Sequence, residues 1–160
     1  MSRTGAPRPE PVTATGLRVA IIASRWHTTV MNGLLDGALR ACKDSSTAEP
    51  EVIGVPGSFE LPVAARAAID AGFEAVVALG VVVRGDTPHF DYVCRGATDQ
   101  LARIAVDTGV PIGFGLLTCD TEEQALARAG LPDSTEDKGY EAAAAAIEVA
   151  GTVARLAPRS

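Results

Sequence analysis

Hydrophobic and polar positions fall along this chain in blocks of two kinds. Branched aliphatic runs at Leu17–Ser24 (LRVAIIAS), a buried strand, and at Glu51–Val55, Phe73–Val83 and Pro111–Thr118 (PIGFGLLT) predict four strands. Helical spacing separates them. Met31, Leu34, Leu35, Ala38 and Leu39 mark a helix over Thr28–Lys43, and further helices are predicted over Phe59–Ala71 and Pro88–Thr108. Pro62 is compatible with the second only in its first turn. A short helix over Glu122–Ala129 and a long one over Glu136–Leu156, carrying the alanine run Ala142–Ala146, complete the pattern.

Strands that read as apolar throughout and alternate with helices predict an α/β fold, a parallel sheet covered by helices on both faces. Pro7, Pro9 and Pro11 block regular structure near the start, so residues 1–14 predict a flexible N-terminal arm and residues 15–160 one domain.

Composition narrows the function. A length of 160 residues, 47% hydrophobic and only 4% aromatic, supports one largely aliphatic core. The net charge of -6 opposes binding to nucleic acid and requires any anionic ligand to be held by local positive groups. Cys42, Cys94 and Cys119 have no metal-binding spacing and predict buried free thiols in a reducing compartment. Met1–Thr13 lacks the apolar centre of an export signal, and Ala75–Val83 is too short to cross a membrane. The expectation is a cytoplasmic protein without a membrane partner.

In a parallel sheet, ligands sit beyond the carboxyl ends of the strands, and the candidate residues are expected there. Strand three runs into Arg84-Gly85-Asp86-Thr87-Pro88-His89. Thr87 suits a helix N-cap and Pro88 the first helical position. The free N–H groups of such a start attract anions, and His89 stands beside them. A histidine titrating near neutrality moves protons in both directions. Together they predict an enzyme acting on a phosphorylated small molecule.

Trp26, after strand one, is either a packing residue or a platform for a flat heteroaromatic ring. Gly57-Ser58-Phe59-Glu60 follows strand two. Glu60 there either complements the helix dipole or accepts hydrogen bonds from a ligand. Phe114 at strand four is either core or a ligand wall. Arg128 and Lys138 flank the loop between the last two helices, and arginine's planar fork suits phosphate.

The segments GSFELP (57–62), ALGVVVRGDTPHFDYVC (78–94) and TEEQA (121–125) followed by Arg128 resemble the 6,7-dimethyl-8-ribityllumazine synthase family in order and spacing. The resemblance covers about Gly16 to Leu156. It implies a three-layer flavodoxin-like sandwich around a central four-stranded parallel sheet. It also implies condensation of 5-amino-6-(D-ribitylamino)uracil with 3,4-dihydroxy-2-butanone 4-phosphate, without metal or cofactor. Trp26 takes the place of the aromatic that stacks on the pyrimidine, and Val82 and Val83 meet that ring through their backbone. Ser58, Phe59 and Glu60 match the substrate-binding segment, with Ser58 and Glu60 at the ribityl chain. Gly85, Asp86 and Thr87 match the phosphate loop, and His89 the proton-transfer residue.

Phe114, Arg128 and Lys138 match residues supplied by a neighbouring subunit, with Arg128 on the phosphate, which implies a homopentamer with shared sites. Trp26-His27 departs from the common Phe-Asn of the family. Asp86 is compatible with a phosphate loop only with its carboxylate turned outward. The loop Leu131–Asp137 is longer than in shell-forming members and implies free pentamers. A flavin or lumazine carrier would keep Trp26 and Glu60 but need neither His89 nor Arg128. A structural shell protein or an FMN electron carrier fits the residues less well.

Overall fold

In a computed structural model of the protein, residues 5–158 are described. The elements run β1 (Val19–Ser24), α1 (Thr28–Asp44), β2 (Glu51–Val55), a 3₁₀ turn (Ser58–Glu60), α2 (Leu61–Asp70), β3 (Ala75–Val83), α3 (His89–Thr108), β4 (Ile112–Cys119), α4 (Glu122–Leu126) and α5 (Lys138–Leu156). All strand pairs are parallel, in the order β2-β1-β3-β4. The α/β fold expected from the alternating blocks is present.

Alternation along each strand assigns the helices to two layers. Val19 and Ile21 of β1, with Val77 and Leu79 of β3, face Val30 and Leu34 of α1 and Ala143 and Ile147 of α5. The intervening Ala20, Ile22, Val76 and Ala78 face Leu61 and Ala65 of α2 and Ala97 and Leu101 of α3. The α1/α5 layer is drawn very close by small residues. A Cβ on Gly139 would lie 2.0 Å from the Leu34 carbonyl oxygen, so only glycine fits.

Several boundaries differ from expectation. The helix expected over Phe59–Ala71 is divided, with a 3₁₀ turn first and Pro62 in the opening turn of α2. The last helix starts at Lys138 rather than Glu136, because the Asp137 side chain accepts the Tyr140 N–H and fixes the start there. β2 is not a buried apolar strand. It lies at the sheet edge, and of its residues only Val55 is buried.

The expected arm falls partly outside the described residues, which begin at Gly5. Residues 6–13 are exposed and hold no helix or strand. At Ala14 the chain docks, its N–H donating to the Ser45 carbonyl at 2.8 Å. No helix among the described residues is long and apolar enough to cross a membrane.

Candidate active site

The sheet directs its carboxyl ends to one edge, and the pairing register opens a crevice there. Pairing between β1 and β3 ends at Ala23–Leu79, whereas β3 continues beside β4 to Val83–Cys119. Val81–Val83 therefore project beyond β1 with no strand on that side. This is the point where the chain order switches direction in the sheet, the position at which such folds accept ligands. Val82 and Val83 are half-buried along it.

Trp26 stands at the β1 end, 65% exposed. The next residue, His27, has φ 57° and ψ 66°, a left-handed conformation that turns the chain sharply into α1. Gly57 forms the floor opposite. A Cβ there would lie 3.3 Å from Trp26 Nε1 and 3.2 Å from Glu60 Oε2, so the indole edge and the carboxylate both border the glycine backbone. Glu60 closes the 3₁₀ turn and makes no side-chain cap to α2, leaving its carboxylate to the crevice.

Ser58 and Phe59 point away from each other. Phe59 is 65% exposed and lies against Gly96 of α3. The Ser58 hydroxyl turns inward over Gly80, between Leu61 and Leu116, with no hydrogen-bond partner.

The loop Gly85–Thr87 and His89 are exposed at the β3 end, Asp86 among them. Thr87 Oγ1 accepts the His89 N–H at 3.4 Å, but the regular helix begins at His89, so its N-cap is Pro88, which offers no capping side chain, rather than Thr87 as expected. Arg84 holds the loop's entry, with Nε 2.8 Å from Asp120 and Nη1 3.4 Å from Asp91.

Three predicted residues stand apart. Phe114 is not beyond a strand end. It pairs with Ala78, five residues before Val83, or about 16 Å from the carboxyl edge, and is half exposed on the edge strand. Arg128 donates to the Gln124 carbonyl at 2.8 Å and pairs with Glu136 at 3.5 Å. Lys138 shares Glu136 at 3.4 Å and reaches Glu141 at 2.8 Å. The Glu141 hydrogen bond holds the Lys138 ammonium above its ordinary pKa. Both cations are thus occupied within their own chain rather than left to solvent. The expectation of three buried thiols also needs correcting: Cys42 and Cys119 are buried, Cys94 only partly.

A family model for 6,7-dimethyl-8-ribityllumazine synthase matches residues 16–154. The protein of that name from Kocuria rhizophila is 62% identical over 156 residues, covering 96% of this chain and 99% of the relative. Those of Renibacterium salmoninarum and Streptomyces coelicolor are 59% and 58% identical, each over 96% of this chain and over 99% and 95% of the relative. The chain belongs to the 6,7-dimethyl-8-ribityllumazine synthase family. It is an enzyme, a transferase of riboflavin biosynthesis, with the flavodoxin-like sheet order of that family.

Two features of this lumazine synthase family member escaped the sequence reading. Glu136, only 11% exposed, gathers Arg128 and Lys138 around one carboxylate. Arg84 does the reverse, one guanidinium between two carboxylates. The signal for Glu136 was its place between two cations, at Arg128 and Lys138. Arg84 gave no local signal, because Asp120 lies 36 residues away.

Proposed function

We propose that this chain condenses 5-amino-6-(D-ribitylamino)uracil with 3,4-dihydroxy-2-butanone 4-phosphate to give the lumazine, phosphate and water. The observation that carries the reading is that Trp26 and Glu60 both border Gly57 beside the projecting end of β3. A flat exposed indole suits a pyrimidine, and a carboxylate at the crevice suits the hydroxyls of a ribityl chain. The Gly85–Thr87 loop and the start of α3 offer backbone N–H groups to the phosphate, with His89 alongside for proton transfer.

The uracil amine attacks the ketone and water leaves. Phosphate is then eliminated, and ring closure releases a second water. Each step moves a proton, which a histidine serves in both directions. Loss of phosphate is assisted by charge fixed in place beforehand.

Arg128, Lys138 and Phe114 enter this scheme from a neighbouring copy in a homopentamer. Phe114's distance from the carboxyl edge supports that arrangement. Exposed Phe59, Val63, Tyr92 and Val106 supply apolar surface for such contacts. Three free thiols, two of them buried, fit a reducing cytoplasm.

Mixing the purified protein with both substrates and following lumazine absorbance tests the reaction. Product formed well above the spontaneous rate, and sharply reduced by Arg128→Ala, is the expected result. No acceleration, with tight binding of lumazine or riboflavin, favours the carrier reading instead.

A further inference from the structure

Arg84 follows the last residue of β3 and joins every segment that borders the loop Gly85–Thr87. Its backbone N–H donates to the Cys119 carbonyl at 2.9 Å, continuing the β3–β4 ladder beyond the strands. Its guanidinium lies 4.3 Å from the Phe90 ring centroid, in the first turn of α3. From there Nε donates to Asp120 Oδ1 at 2.8 Å and Nη1 to Asp91 Oδ1 at 3.4 Å. Asp120 is itself anchored, its N–H donating to Gln124 Oε1 at 2.8 Å. One side chain therefore closes the loop at both ends, at Arg84 and at Phe90-Asp91, and ties it to the β4 terminus.

The charges give this closure a second consequence. Asp91 and Asp120 border the loop and Asp86 lies within it. Uncompensated carboxylates closer than a Debye length, about 8 Å at physiological salt, would oppose a phosphate dianion. Arg84 engages two of the three at once. A planar fork with several fixed donors can do this, whereas a lysine ammonium reaches one carboxylate well and the other poorly.

We infer that Arg84 is a positioning residue for phosphate, holding the Gly85–Thr87 backbone in place and cancelling Asp91 and Asp120 without itself serving as the ligand. This rests on the synthase reading for the identity of the phosphorylated substrate. Binding of inorganic phosphate tests it without turnover.

The test uses the assembled full-length protein, with inorganic phosphate titrated by calorimetry and both KM values measured. Arg84→Gln is expected to raise the phosphate Kd and the KM for the butanone phosphate about fivefold. The KM for the ribitylaminouracil stays within about twofold, since the loop lies across the crevice from Trp26. Arg84→Lys gives an intermediate Kd. Adding Asp120→Asn to Arg84→Gln restores part of the phosphate affinity, because it removes a charge that Arg84 had offset.

Unchanged phosphate binding in Arg84→Gln overturns the inference. So does an equal rise of both KM values, the mark of general loosening. If Arg84→Gln does not fold, the Arg84→Lys titration decides: wild-type phosphate affinity in it contradicts the fork argument. Absence of turnover by the unmodified protein contradicts the synthase reading instead, and the phosphate titration still judges Arg84.

Discussion

The Ser58 hydroxyl sits directly over Gly80: a Cβ at Gly80 would lie 2.6 Å from Ser58 Oγ. It would also stand 3.0 Å from Leu116 Cδ1 and 3.1 Å from Leu61 Cδ1, so the site has no room for a methyl. Gly80→Ala is expected to destabilise the fold by about 1–3 kcal/mol, the usual cost of overpacking. Ser58→Ala is expected to cost nothing, since the hydroxyl is buried without a partner. The double variant should recover part of the Gly80→Ala loss. Urea denaturation of the three variants checks this, and strictly additive effects would deny the contact.

His27 holds a left-handed backbone at φ 57°. Asparagine tolerates that conformation better than histidine, and β-branched residues poorly. His27→Asn is expected to leave thermal stability equal or higher, while His27→Val lowers it by about 1–2 kcal/mol. A neutral His27→Val would mean that the turn aiming Trp26 is not strained.

Stability should fall in alkali. Burial holds the Cys42 thiol above its ordinary pKa, the Asp44 hydrogen bond does the same for Tyr140, and the Glu141 hydrogen bond for Lys138. Each group keeps its proton more tightly folded than unfolded. Their contribution is therefore complete below the unfolded pKa values and is lost as pH rises through the folded ones. Urea midpoints are expected to drop from about pH 8.5 upward, and less steeply in Cys42→Ala. Parallel curves for the two proteins would remove Cys42 from the explanation.

The assembly is expected to be a free pentamer. Light scattering should report about five times the 16.4 kDa chain mass. The loop bearing Leu131–Asp137 is fixed in place by the Ser134 hydroxyl, which donates to the Leu126 carbonyl and accepts the Leu131 N–H. A loop so held keeps its bulk at the junction of α4 and α5, and that bulk is expected to obstruct packing of one pentamer against another. A shell-sized particle under mild conditions would contradict this.

Four strands and their order along the chain were legible because each depends on residues close in sequence. Apolar runs between turn signals announce strands wherever they lie in the sheet. The exposure of β2 was not legible, since an edge position is decided by which strands pair, not by the run itself. The inward turn of Ser58 escaped for a similar reason: it follows from Gly80, on another strand. Trp26 and Glu60 were singled out as strand-end residues, but their shared border on Gly57 depends on the parallel register of β1 and β2. Glu136 lies in sequence between the two cations it binds, but an acidic residue there equally suits a helix start, so spacing alone does not name it as their partner.

One synthase site is proposed to be built from two copies of this chain, Trp26 from one and Arg128 from the next. Co-expression of Trp26→Ala with Arg128→Ala tests it most directly, by lumazine formation in the mixed assemblies. Each variant alone is expected to be severely impaired. In mixed rings, roughly a quarter of the interfaces combine two intact halves, so roughly a quarter of wild-type turnover should return. Activity no greater than that of the separate variants would place both residues in a site within a single chain and contradict the account.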